Sequence, residues 1–429
     1  MVIVKSLYGL KSSGRCWHDR LFEVLDSMGF TPSKAEPDIW MRHAGDHYEY
    51  IACYVDDLLI ASRAPQEIIA ALESKPHGFK LKGTGPVSFH LGCDFFRDET
   101  GTLCVGPKKY IERLGDQYQT IFGEKPNTKW SSPLESNDHP ELDTSELLDE
   151  DGITRFQSLI GALQWTVTLG RFDIAVAVMT MSSFRVAPRA GHLARLQRIC
   201  GYLVKMKNGY IRIRTDKPDF SDMPPKDYDW SHTVYGKVTE AIPSDAPPPL
   251  GKSVVTTSCV DANLYHDWVT GRAVTGILHF INKTPFEWFA KKQATVEAAT
   301  YGSEFVAARQ AAEQIVGIRT TLRYLGVAVD GPSRLFGDND SVVTSSSVPH
   351  SPLKKRHHAL SYHFTREAIA AGVLDFQHIP GALNSADILS KHWGYSQIWP
   401  TLRPVLFWMG DTADLLGDKY NKGAPSVNK

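Results

Sequence analysis

From Ser253 to Trp393 the sequence switches repeatedly between strand and helix periodicity. Ser253 to Asp261 and Gly276 to Ile281 read as strands, and Phe286 to Ala290 follows the Asn282-Lys283 turn as a hairpin partner. Tyr301, Phe305, Ala308, Ala312, Ile315 and Leu322 then form the apolar stripe of a long helix. Next come a short strand from Arg334 to Gly337, a helix ending near Gly372, a strand from Val373 to Ile379, and a helix that Asn384 or Ser385 can cap. A β-β-β-α-β-α-β-α order requires a mixed sheet with flanking helices, an α/β (α+β) architecture.

Two breaks separate this section from what precedes it. An acidic, proline-punctuated stretch runs from Pro133 to Gly152, and a Pro- and Asp-rich one runs from Asp216 to Gly251. Both read as solvated linkers. Before the first, Trp17, Leu21, Val24 and Met28 follow helical spacing, with Gly29 as the stop. The runs Tyr48 to Val55 and Leu58 to Ala61 read as a hairpin with Asp56-Asp57 at its apex. Between the breaks, Phe156, Leu159, Ile160 and Leu163, then Leu193, Leu196, Cys200 and Leu203, mark two amphipathic helices. The second carries a basic run from Arg189 to Arg214 that includes Arg195, Arg198 and Lys205. Such a run can neutralise backbone phosphates or simply form a solvated helix face. The expected divisions are 1–123, 124–215, 216–252, 253–395 and a C-terminal tail at 396–429.

With 429 residues, 42% of them hydrophobic, the chain can bury two to three domains of roughly 150 residues each. Lys and Arg total 47 against 48 Asp and Glu, so a polyanion partner must be met by local patches. The six cysteines have no CxxC pair, and no apolar run reaches the ~18 residues of a membrane span. A soluble protein of a reducing compartment is expected, without membrane partners.

Asp261, Glu304, Asp338 and Asp387 stand where elements end or turn, in positions that can converge at one end of the sheet. Hard carboxylate oxygens from separate elements suit Mg²⁺, and two such ions can serve an in-line displacement at phosphorus. The same acids also serve as ordinary solvent-facing caps. Asp56 and Asp57 form a platform of similar kind, since a plain turn would more often use Asn-Gly or Asp-Gly.

Tyr54-Val55-Asp56-Asp57 resembles the YVDD box of reverse transcriptases, and Ser6-Leu-Tyr-Gly-Leu-Lys11 with Trp17 resembles the preceding motif of copia-type LTR retrotransposons. Gly29 to Lys34 with Asp38, Phe89 to Cys93 with Lys108 to Ile111, and Phe156 to Gly161 with Arg171 to Ile174 are similar to that family's following segments. Val260-Asp-Ala262 with Asp267, Lys291 to Val296, Ser303 to Ala307, Gly337-Asp-Asn339, Tyr362 to Glu367 and Ala386 to Lys391 resemble its ribonuclease H domain. The likeness extends from about Lys5 to Trp393.

The resemblance implies a partial reverse-transcriptase palm with the start of the thumb, a helical thumb or connection, and a ribonuclease H-like domain. It implies that Asp261, Glu304, Asp338 and Asp387 bind Mg²⁺, with Mn²⁺ as substitute, and that Asp56 and Asp57 are two of three polymerase aspartates. The substrate implied is an RNA/DNA hybrid or template-primer, in cytoplasmic particles with nuclear access. The third aspartate and the fingers precede the first motif in the family, and Met1 stands five residues before Ser6. Those parts, and the integrase, protease and nucleocapsid portions, are therefore expected to be missing and polymerisation lost. Asn263 replaces a common family acid, and Tyr301-Gly302 stands where many members carry a second one. Lys354, Lys355, Arg356, His357 and His358 lie near the family's histidine, suited to backbone contact or to solubility alone. The competing expectation is an inert remnant that binds nucleic acid passively through Arg189 to Arg214.

Overall fold

A computed structural model describes residues 11–75, 77–353 and 356–409. The Ser6 to Leu10 part of the first motif, Lys354, Lys355 and the expected tail beyond 409 lie outside them. The chain is mixed helix and sheet and divides into two compact units. The first takes Met1–Val87, Ala241–Val254 and Val316–Asp330; the second takes Ser88–Glu240, Val255–Ile315 and Gly331–Lys429.

In the first unit, the helix Ser13–Ser27 packs Leu21, Val24 and Leu25 against Phe30, which follows it, and against Trp40 and Ile51 of the adjoining sheet. That sheet contains the antiparallel strands Ile39–His43, Tyr48–Tyr54 and Asp57–Ala61. Helix Pro65–Glu73 adds Ile68 and Leu72. Tyr54 pairs with Asp57, so the two-residue turn is Val55-Asp56 and Asp57 begins the returning strand, one position off the expected apex. Val55 takes φ 57°, an uncommon state for a β-branched residue. The Trp17 indole donates to its carbonyl at 2.8 Å. Part of the proline-rich stretch also belongs to this unit. Leu250–Val254 pairs in parallel with Val327–Val329, and the Tyr48 and Tyr50 hydroxyls donate to the carbonyls of Pro248 and Leu325.

The second unit contains the expected sheet: β1 (Thr256–Asn263), β2 (Val274–Ile281), β3 (Thr284–Lys292), β4 (Ser333–Gly337) and β5 (Leu374–His378). Its order is β3-β2-β1-β4-β5, with β1, β2 and β3 antiparallel to their neighbours in turn and β4 and β5 parallel extensions on the other side of β1. The helices are α1 (Thr300–Tyr324), α2 (Asp340–Ser347), α3 (Ala359–Ala370), α4 (Asp387–Ser390) and α5 (Tyr395–Val405). Phe305, Ala308, Ala312 and Ile315 of α1 pack with Val260, Leu335 and Phe376 of the strands. Small alanines on that stripe let helix and sheet approach closely.

Four expectations about boundaries fail, each because distant segments supply partners. Residues 124–215 do not form a separate body: Phe156, Leu163, Leu196 and Leu203 share one core with Leu278, Ile388 and Trp393. The acidic stretch is not a free linker, because it buries Leu134 and Pro140 and its carboxylates bond to arginines. Residues 216–240 are a strap rather than a spacer. Trp230 lies under the Arg366 guanidinium at 4.8 Å, and Arg334 donates to the Met223 carbonyl at 2.7 Å. The tail does not begin at 396. α5 buries Ile398, Trp399 and Leu402, and Phe407–Trp408 pairs antiparallel with Gly209–Arg212.

Candidate metal centre

Asp261 sits near the end of β1, 1% exposed, opposite Gly276 of β2. Glu304 lies in the first turns of α1, and Asp338 follows the last residue of β4. The three carboxylates present oxygens that all lie within 4.8 Å of one another, and among the described residues they form the one such group of three. β1 and β4 are parallel neighbours, which brings their C-terminal ends to the same edge. α1 crosses that edge.

Asp387, at the start of α4, joins them because α4 lies directly on β2. A Cβ on Gly276 would stand 2.7 Å from the Ala386 carbonyl oxygen and 2.8 Å from Leu389 and Ser390 backbone atoms. Only glycine admits this approach. It places the Ser390 hydroxyl on Asp261 as a hydrogen-bond donor. It also places Lys391 Nζ 2.6 Å from Asp387 and 3.3 Å from Asp261.

Burial and mutual repulsion raise the proton affinity of the acids. Burial, then Asp261 and Asp338, push Glu304 well above the usual carboxylate range. Burial and Asp261 raise Asp338. Burial and Asp261 outweigh Lys391 and hold Asp387 at about 6. Burial works against the Lys391 charge, but Asp261 and Asp387 hold its pKa above the lysine norm. The partners of the 2.6 Å pair thus differ, one charge favoured and the other opposed, because Asp261 attracts the ammonium and repels the carboxylate. Clustered hard oxygens short of positive charge fit a divalent cation.

The remaining expected site residues do not join this group. Asp56 and Asp57 are exposed at their hairpin in the other unit and gather no third ligand among the described residues. Arg195, expected to meet phosphate, grips Asp138 with two bonds of 2.8 and 2.9 Å and Asp143 with one of 2.7 Å. Arg198 bonds Glu135 at 2.7 Å and covers the Trp130 ring at 4.3 Å. Lys207, Arg212 and Arg214 likewise meet Glu112, Asp98 and Asp216. Lys205 is half-buried at its helix end. Arg356 is exposed and His357 follows it in a one-turn helix, while His358 is buried 3.4 Å from Glu297. Ser390 and Lys391 were not expected in the site. For Lys391 the available signal was its four-residue spacing from Asp387; Ser390 offered none.

Residues 1–123 match the family model described as "Reverse transcriptase (RNA-dependent DNA polymerase)". The chain is 25% identical over 387 residues to the retrovirus-related Pol polyprotein from transposon RE1 of Arabidopsis thaliana, covering 90% of this chain and 24% of that protein. It is 23% identical over 390 residues to the corresponding polyprotein from transposon TNT 1-94 of Nicotiana tabacum, covering 90% of this chain and 26% of that one. The chain therefore spans about a quarter of the length of these curated relatives. Among solved structures, an N-terminal RNase H domain from Mycobacterium tuberculosis aligns at 14% identity and TM-score 0.26, covering 32% of this chain and 91% of that one. A foamy viral protease-reverse transcriptase in complex with RNA/DNA hybrid aligns at 11% identity and TM-score 0.23, covering 90% of this chain and 61% of that one.

Proposed function

For a chain related to the Pol polyproteins of copia-type retrotransposons, with reverse transcriptase sequence in its first 123 residues, we propose metal-dependent hydrolysis of the RNA strand of RNA/DNA hybrids. The observation that carries this reading is the convergence of Asp261, Glu304 and Asp338 beside Asp387. Mg²⁺ bound there would supply Lewis acidity at the phosphate and a water of lowered pKa. Asp261, Glu304 and Asp338 would hold it, and Asp387 would complete or orient that set. Ser390 keeps one Asp261 oxygen fixed by donating to it. Lys391, 2.6 Å from Asp387 and 3.3 Å from Asp261, places a positive charge beside the carboxylates, where it could also meet substrate phosphate. The wide minor groove of such a hybrid exposes the 2′-hydroxyls that distinguish RNA.

Passive binding through Arg189 to Arg214 is less well supported, because Arg195, Arg198, Lys207, Arg212 and Arg214 already meet carboxylates. Polymerisation is not part of this reading, which rests on Asp261, Glu304 and Asp338; among the described residues no third ligand joins Asp56 and Asp57. The test is cleavage of a hybrid labelled on its RNA strand by purified protein with Mg²⁺. Asp338→Asn should lower the rate by at least ~100-fold while the fold persists, since one preorganised charged group is commonly worth that much. Equal cleavage by wild type and variant would defeat the assignment.

A further inference from the structure

The connection from β3 to α1 carries a buried acid that no step of the proposed hydrolysis uses. Glu297 is 7% exposed; its Oε1 accepts from the Thr295 hydroxyl at 3.4 Å, and its Oε2 stands 3.4 Å from Nε2 of His358. His358 is 3% exposed and immediately precedes α3. An acid from one connection and an imidazole from another thus meet inside the second unit.

They meet over the first turn of α1. A Cβ at Gly302 would overlap Glu297 Oε2 and come within 3.0 Å of the His358 ring, so only glycine lets the carboxylate and the imidazole close there. The residues on either side of Gly302 are held as well. The Tyr301 ring packs edge-on to His358, with centroids 6.2 Å apart at 75°, and the Gln293 amide donates to the Ser303 carbonyl at 2.9 Å. Glu304 of the metal centre is the next residue. The turn that leads into it is therefore gripped on one side by the β3–α1 connection and on the other by the start of α3.

α1 has no acid of its own in its first turn. The positive end of its dipole favours a carboxylate brought there from outside, which is what Glu297 supplies. A buried acid–base pair adds little stability over apolar side chains of similar volume, so stability alone is a weak reason for this one. Its place beside a metal-centre acid supplies another.

We propose that Glu297 and His358 are positioning residues: as a pair they fix the first turn of α1 and so set where Glu304 presents its carboxylate to Asp261 and Asp338. The inference rests on the reading of those three acids as a metal centre, and it assigns the β3–α1 connection a part in metal binding although it holds no ligand.

The test uses the whole chain and reads Mg²⁺ itself. Calorimetric titration gives the Mg²⁺ dissociation constant, and kcat and KM on the labelled hybrid are measured separately. Glu297→Ala and His358→Leu should each weaken Mg²⁺ binding about tenfold, the usual scale for losing a group that orients a metal ligand, and should lower kcat with KM nearly unchanged. The double variant should lose no more than either single one, because the two side chains act as a unit. Gly302→Ala leaves both partners in the chain and favours the helix, yet its methyl displaces Glu297, so it should show the same loss and keeps the test decisive if a single variant does not fold. An unchanged dissociation constant in any folded variant, with only the melting temperature lowered, would make the pair a structural tie and overturn the inference. Losses that multiply in the double variant would overturn it too. Absence of Mg²⁺ binding by wild type would be the separate failure of the metal-centre reading.

Discussion

Replacing Asp387 by asparagine should make the metal-free protein more stable while weakening its hold on Mg²⁺. The folded state raises this carboxyl from an ordinary 3.8 to about 6, roughly two units. At 1.36 kcal/mol per pKa unit, the charged form is disfavoured in the fold by at most about 3 kcal/mol. The sign follows from linkage. A carboxyl whose folded pKa lies above its unfolded value favours the native state below about pH 4, and that contribution is lost as pH rises through about 6. Above that, the wild type carries the full penalty and Asp387→Asn does not. Urea denaturation in EDTA at about pH 7.5 should place the variant higher by up to about 3 kcal/mol, a net figure in which the 2.6 Å contact with Lys391 already opposes burial and Asp261. At about pH 4 the two should nearly coincide. With Mg²⁺ at ~100 times its dissociation constant, wild type should regain about 2.7 kcal/mol and the variant markedly less. A variant less stable than wild type at neutral pH without metal would refute this reasoning. Asp387 would then be a structural partner of Lys391 rather than a charge awaiting a cation.

The same shifts make Mg²⁺ affinity fall as pH drops through about 6, because the metal must displace protons from Asp387, Asp338 and Glu304. Calorimetry in buffers of different ionisation enthalpy should register proton release on binding. Gly276→Ala should cost about 1 to 3 kcal/mol by overpacking and should impair Mg²⁺ binding, since the new methyl pushes α4 and its Asp387, Ser390 and Lys391 off Asp261. Unchanged metal titration in a folded variant would contradict that geometry. Arg195→Ala should destabilise by about 3 kcal/mol or more, because it leaves Asp138 and Asp143, both largely buried, without their cation. Its effect on the salt dependence of hybrid binding should be nil; a slope reduced by about one would instead return Arg195 to the phosphate-binding role.

Much of this molecule is legible from local pattern. Helical spacing of Tyr301, Phe305, Ala308 and Ala312 gives α1, and strand-like runs broken by Asn282-Lys283 give β2 and β3. Those periods place Asp261, Glu304 and Asp338 at element ends, since each element's length follows from its own residues. Local pattern misleads where partners lie far away in sequence. The acidic stretch reads as self-repelling because its residues are all of one sign, yet Asp138 meets Arg195, 57 positions on. The α5 segment reads as tail because its two prolines break the expected helical signal, although Trp399 and Leu402 are buried in the main core.

The sequence alone determined the order of elements and the chemistry of the acids, because both depend on periodicity and side-chain type within a few residues. The tertiary structure decided which acids meet and which arginines are already neutralised. It also decided that Lys391 stands among the carboxylates. Each of these depends on strand order and on the close crossing of α4 over Gly276, where backbone atoms more than a hundred positions apart come into contact.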